Sequence, residues 1–186
     1  MITLGTGVGG GIIIDGGLYA GSFDGAGEIG HTIVVKGGLT CACGDKGCLE
    51  RYIGAGPLVE MAREEIKKGR KTLINNLVNG DTSAITPKVL YNAAVKKDPL
   101  ALEVWSSAGE YLGTALTNAI NLLNPARIVV GGGISQAFRF IAPSMWKTIR
   151  RGGVTRILAK NLKITASKLG DDAGLLGSAM LVWHKK

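Results

Sequence analysis

One imidazole and three thiols of this chain fall within a stretch of eighteen residues: His31, Cys41, Cys43 and Cys48, with Glu28 and Glu50 just outside them. They are all of the cysteines and one of the two histidines in 186 residues. The spacing is H-x9-C-x-C-x4-C. Three thiolates and a neutral imidazole complete the tetrahedral shell of zinc and leave no open position, which is the pattern of a structural metal site. Another metal that favours nitrogen and sulfur would accept the same donors. Gly44 and Gly47 let the backbone fold between Cys43 and Cys48. A disulfide framework fits poorly, because the cysteine count is odd and a C-x-C bridge is strained.

A closed metal shell does not catalyse, so Glu28 and Glu50 need their own reading. They are either ordinary surface carboxylates or two acceptors that the metal loop turns toward one cavity. In the second case they suit the hydroxyls of a sugar. His31 can serve both ends, with one ring nitrogen on the metal and the other on a ligand.

Glycine marks two further loops. Residues 5–10, GTGVGG, satisfy G-x-G-x-x-G, but the dinucleotide fingerprint requires a helix directly afterwards. Here GIIIDGG follows, so the context is strand, glycine turn, strand. Such a turn is either an ordinary hairpin or an anion cradle, in which backbone N–H groups converge and Thr6 adds a hydroxyl. The second loop, VVGGGIS at 129–135, follows an apolar strand and precedes a helix, which lets a nucleotide approach the backbone. Two such loops favour a nucleotide cleft. No G-x-x-x-x-G-K-[ST] occurs, so this is not a P-loop protein.

The elements that must hold these residues alternate in type. MIT, GIIID and TIVV (32–35) read as strands, with a hairpin turn at Gly16–Gly17 before LYAG. From Pro57 the pattern becomes helical. Helices are expected at 57–69, at 86–97 with Thr86 as cap and Pro87 first, and at 98–124 up to Pro125. The long one carries Trp105, Ala108, Leu112, Ala115, Leu116, Ala119 and Leu123 on one face. RIVVGGG and LKIT (162–165) read as strands, and 136–151 and 173–184 as helices. The class is α/β, with strands weighted toward the start.

Composition removes several alternatives. No apolar run approaches the roughly 20 residues of a membrane span. The start lacks a basic region ahead of an apolar stretch, so the expected compartment is cytoplasmic, where thiols stay reduced. The net charge is +8, yet the basic residues are dispersed and aromatics are only 5%. No stacking platform for single strands results, and the charges read as solvated helix faces. Of 29 glycines, 17 precede residue 57, so glycine signals tight turns there, not general disorder.

GEIGH at 27–31 followed by CACGDKGCLE at 41–50 resembles the signature of the ROK family of bacterial sugar kinases and sugar-responsive repressors. Similar runs continue through LGTGVGGGI (4–12), NLLNPARIVVGGG (121–133) and GDDAGLLGSA (170–179). The resemblance is to the ATP-dependent glucokinases in particular. It implies an actin-like ATPase fold built of ribonuclease-H-like lobes, with this chain as the C-terminal lobe over 1–186 and its zinc loop at 27–52. It further implies that Glu28, His31 and Glu50 contact a hexose, glucose foremost, and that His31, Cys41, Cys43 and Cys48 bind a structural zinc. Thr6 and Gly7 would lie against the phosphates of ATP, and Gly131, Gly132 and Gly133 beside the adenosine, with magnesium as cofactor. A homodimer is implied as well.

Kinases of the family carry an aspartate–glycine loop and a catalytic aspartate ahead of the GTG loop, whereas only Met1 to Leu4 precede it here. Neither Asp15 nor Asp24 sits in that motif. The expectation is therefore a lobe without a catalytic residue of its own, inactive until joined by the N-terminal lobe. The alternative is the sugar-sensing part of a repressor, and only in that case would nucleic acid be a partner.

Overall fold

In the computed structural model, which describes residues 1–170 and 172–183, the first strands are set by three buried side chains. Ile2 and Leu4 of β1 (Ile2–Leu4) and Val8 of β2 (Val8–Gly10) point into the core. The two strands are antiparallel, with Leu4 opposite Val8, so Gly5, Thr6 and Gly7 form the turn between them. The strand–turn–strand context expected of GTGVGG is what the fold contains.

β3 (Ile12–Ile14) and β4 (Gly17–Tyr19) form a separate hairpin. Its turn falls on Asp15–Gly16, one residue earlier than expected. Both residues adopt positive φ (50° and 80°), as a type I′ turn requires, and Asp-Gly satisfies that better than Gly-Gly with its larger entropy cost.

The metal loop occupies most of the chain between the hairpin and the first helix. Residues 32–35 are not a strand, contrary to expectation. Ile33 makes one isolated bridge with Cys48, and the amides of Val34 and Val35 both donate to the Gly47 carbonyl, at 2.9 and 3.3 Å. The backbone then turns at Gly37 (φ 69°), so these apolar residues wrap the knuckle and extend no sheet.

The helical half follows as α1 (Glu50–Ile53), α2 (Ala55–Lys67), α3 (Leu73–Leu77), α4 (Pro87–Val95) and α5 (Pro99–Leu123). Thr86 caps α4 as expected, and Asp98, expected inside the long helix, instead caps it. Thr86 Oγ accepts from Val89 N at 3.3 Å, and the buried Asp98 carboxylate accepts from Ala101 N at 2.9 Å. Asn124 ends α5 in the left-handed conformation (φ 41°). The expected face of α5 is buried from Trp105 to Leu116, but its last turn runs to the surface. Ala119 is half-buried, Leu123 is exposed, and Ile120 is the last core residue.

β5 (Arg127–Gly131) leads through a 3₁₀ turn at Gly133–Ala137 into α6 (Phe138–Arg151), then α7 (Gly153–Leu158), β6 (Lys163–Ala166) and α8 (Asp172–Trp183). Residue 184, the end of the last expected helix, lies outside the described residues, as does Asp171. The sheet runs β2-β1-β5-β6, antiparallel at its first pair and parallel at the other two. It is therefore mixed.

α5 and α6 cross closely at Gly109 and Gly113. A methyl group at Gly113 would stand 2.7 Å from the Met145 carbonyl oxygen, and Ser144 Oγ donates across the crossing to the Ser106 carbonyl at 2.7 Å. No helix among the described residues is long and apolar enough to cross a membrane.

Candidate metal centre and ligand site

The knuckle is built from backbone bonds before its side chains matter. Cys41 N donates to Asp45 O at 2.8 Å, Gly44 N to Cys41 O at 3.1 Å, and Thr40 bridges Lys46. Gly44 and Gly47 sit at φ 99° and 90°, conformations that strain other residues. Folded this way, the ligand atoms of His31, Cys41, Cys43 and Cys48 all lie within 4.8 Å of one another. His31 Nδ1 is 3.7 Å from Cys41 Sγ, and Cys43 Sγ is 3.6 Å from Cys48 Sγ. Tetrahedral zinc with bonds of about 2.3 Å to sulfur separates its sulfurs by about 3.8 Å. The donor set and its spacing fit zinc.

The thiols differ in acidity. The Cys43 backbone amide, with lesser help from the Cys43, His31 and Cys48 side chains, draws Cys41 down to about 7. Burial, reinforced by the neighbouring sulfurs, pushes Cys48 up to about 12. Three thiolates so close together repel, and a divalent cation is what lets all three lose their protons.

Glu50 opens α1 two residues after Cys48. Its Oε2 accepts from Val8 N at 2.9 Å, which lays the carboxylate against the glycine turn. Residues 27–31 run along β2, with Gly27 packed on Gly10 and Gly30 on the Val8 carbonyl. Glu28 is exposed, and its carbonyl accepts from His31 N at 3.1 Å. Both ends of the metal loop thus border β2 and the turn before it.

On the other side of that turn lies a cavity of about 400 Å³. β1 and β5 are parallel neighbours, Ile2 beside Val130, so the loops leaving their C-terminal ends emerge on one edge of the sheet. Ligands of open α/β sheets gather at that edge. Gly5 and Thr6 line the cavity from the first loop, Gly133 and Gln136 from the second. Lys88 and Tyr91 of α4 and Trp105 of α5 complete the wall.

Gly7, Gly131 and Gly132 are not in that wall. A methyl at Gly7 would meet Glu50 Oε2 at 2.6 Å, and one at Gly131 would meet Met1 at 2.8 Å. Gly132 (φ 82°) leaves room for the Leu4 carbonyl of β1. Lys88, Tyr91 and Gln136 were not singled out by sequence. The helix pattern of Lys88 and Tyr91 signals only amphipathicity, and the packing of α4 beside the second loop, which carries Gln136, brings them here. Arg139 lies over the Tyr91 ring at 5.5 Å.

The comparisons agree with this geometry. The ROK family profile matches residues 1–185. A glucokinase of Halalkalibacterium halodurans is 37% identical over 98% of this chain and 55% of its own length. A xylose repressor of Caldicellulosiruptor bescii is 30% identical over 97% of this chain and 45% of its own. The crystal structure of a ROK family glucokinase from Streptomyces griseus, in complex with glucose and AMPPNP, superposes with a TM-score of 0.85 at 35% identity. That match covers 97% of this chain and 58% of the other. The chain spans a little over half the length of the glucokinases it matches. The mixed sheet is thus that of the actin-like ATPase fold as this family carries it. With the cysteine–histidine knuckle, the two glycine loops and a profile match across nearly every residue, the chain belongs to the ROK family.

Proposed function

We propose that this chain is the second lobe of an ATP-dependent hexose kinase of glucokinase type. The observation that carries the reading is one short glycine turn, Gly5–Gly7, with a different feature on each side. Gly5 and Thr6 open onto the cavity, while Val8 is hydrogen-bonded to Glu50 of the metal loop. A nucleotide in the cavity and a hexose at Glu28, His31 and Glu50 would then meet across that turn, as phosphoryl transfer needs.

Thr6 Oγ and the Gly7 N–H would hold phosphate, and Gly131, Gly132 and Gly133 would shape the adenosine side, Gly133 from the wall itself. Magnesium would offset the phosphate charge. Zinc on His31, Cys41, Cys43 and Cys48 would fix the loop at 27–52 without taking part in the reaction. No carboxylate lines the cavity among the described residues. Asp15 sits in the β3–β4 turn and Asp24 is exposed, so the base that takes the hexose proton is assigned to the first lobe.

The similarity to a xylose repressor supports a second reading, in which the same carboxylates sense sugar. That role has no use for the cavity between the glycine loops, and the kinase reading does. The cytoplasm and a homodimer belong to the same proposal. The test is an NMR titration of the zinc-loaded chain with magnesium AMPPNP and with glucose. AMPPNP should move the signals of Thr6, Gly133 and Tyr91, and glucose those of Glu28, His31 and Glu50. Glucose shifts with no response to AMPPNP would favour the repressor reading.

A further inference from the structure

α1 and its junction with α2 grip each residue from Gly5 to Val8, the glycine turn and the first residue of β2. Ala55 N donates to Gly5 O at 2.9 Å, and Gly54 stands against the Thr6 carbonyl, where a methyl would come within 3.0 Å. Glu50 Oε2 lies over Gly7, leaving no space for a side chain, and accepts from Val8 N at 2.9 Å. Oε1 of the same carboxylate accepts from no group among the described residues. The junction is in turn tied to the knuckle. Leu49, between Cys48 and Glu50, is fully buried, and its amide donates to Thr32 O at 3.0 Å.

We infer that Glu50 is a two-sided positioning residue: Oε2 clamps the glycine turn while Oε1 takes the hexose, so hexose and nucleotide tighten each other's binding. A hydroxyl donating to Oε1 restrains the carboxylate in the orientation that holds Val8. A restrained turn presents Thr6 and its amides to phosphate with less ordering left to do. Coupling of this kind is reciprocal by thermodynamic necessity. The identity of the two ligands rests on the kinase reading above; the clamp does not.

The experiment uses the full zinc-loaded chain, wild type and with Glu50→Ala, Glu50→Gln and Gly7→Ala. Two quantities are read: hydrogen exchange of the Val8 amide without ligand, and magnesium AMPPNP affinity with and without glucose. Loss of a hydrogen bond to a charged acceptor should speed Val8 exchange at least about tenfold in Glu50→Ala. Glu50→Gln keeps a carbonyl acceptor and should restore most of the protection, a rescue that simple loss of packing would not give. Glucose should raise AMPPNP affinity by about fivefold or more in the wild type and have no effect in Glu50→Ala.

Gly7→Ala, whose methyl displaces Oε2, should reproduce the Glu50→Ala pattern, and it carries the test if Glu50→Ala does not fold. Unchanged Val8 exchange in a folded Glu50→Ala would overturn the clamp. Equal glucose effects in wild type and Glu50→Ala would overturn the coupling. A wild type that binds neither ligand would defeat the kinase reading and the coupling with it, while Val8 exchange would still decide the clamp.

Discussion

At Cys48, burial and two neighbouring sulfurs hold the thiol proton up to about 12, whereas the Cys43 amide brings Cys41 down to about 7. A zinc ion entering at any lower pH must displace the Cys48 proton. That thiol alone makes apparent zinc affinity rise about tenfold per pH unit, and Cys41 adds to the slope below its own value of about 7. Competition with a chromophoric chelator between pH 6 and pH 8 should show the metal held more tightly at the alkaline end. A flat profile would mean that the thiols are not the ligands. At this scale the sequence was informative where chemistry demands rare residue types at set distances. His31 and the cysteines announce themselves because few other arrangements explain their clustering. Lys88 and Tyr91 do not, because a lysine and a tyrosine in an amphipathic helix suit any solvent-facing surface.

Helices with local start signals were legible, and contacts between elements were not. Thr-Pro at 86–87 names its cap and Pro125 marks an end, while the capping by Asp98 and the left-handed Asn124 became visible only in the fold. The apolar run at 32–35 reads as a strand by type, yet the pull of Gly47 on two consecutive amides turned it into a wrap around the knuckle. The α5–α6 crossing belongs to the same class of tertiary fact. Gly113 is a poor helix residue, and alanine there would gain about 1 kcal/mol in propensity. The added methyl would, however, stand 2.7 Å from both the Met145 carbonyl oxygen and Thr148 Cβ. Overpacking of this kind costs about 1–3 kcal/mol, more than the gain when backbone must move. Gly113→Ala should therefore lower stability in urea by about 1 kcal/mol, visible as a lower midpoint at unchanged slope. A stabilised variant would show that the crossing is looser than described.

Across the whole molecule, residues more than a hundred positions apart come to line one cavity through strand order. Gly5 and Thr6 follow β1, Gly133 follows β5, and the parallel pairing of those strands brings both loops to one edge. Sequence spacing cannot reveal that adjacency, although the glycine runs hinted at it. The family resemblance carried what spacing could not, namely the fold that pairs β1 with β5. Transfer of the γ-phosphate from ATP to glucose separates a kinase lobe from a sugar sensor. The chain would be assayed alone and joined to the first lobe of a ROK glucokinase, with glucose binding as the control for folding. No hexose phosphate is expected from the chain alone. ATP-dependent turnover is expected from the joined protein, slowed when Thr6→Val removes the hydroxyl at the cavity wall. A joined protein that binds glucose but forms no hexose phosphate would contradict the kinase reading.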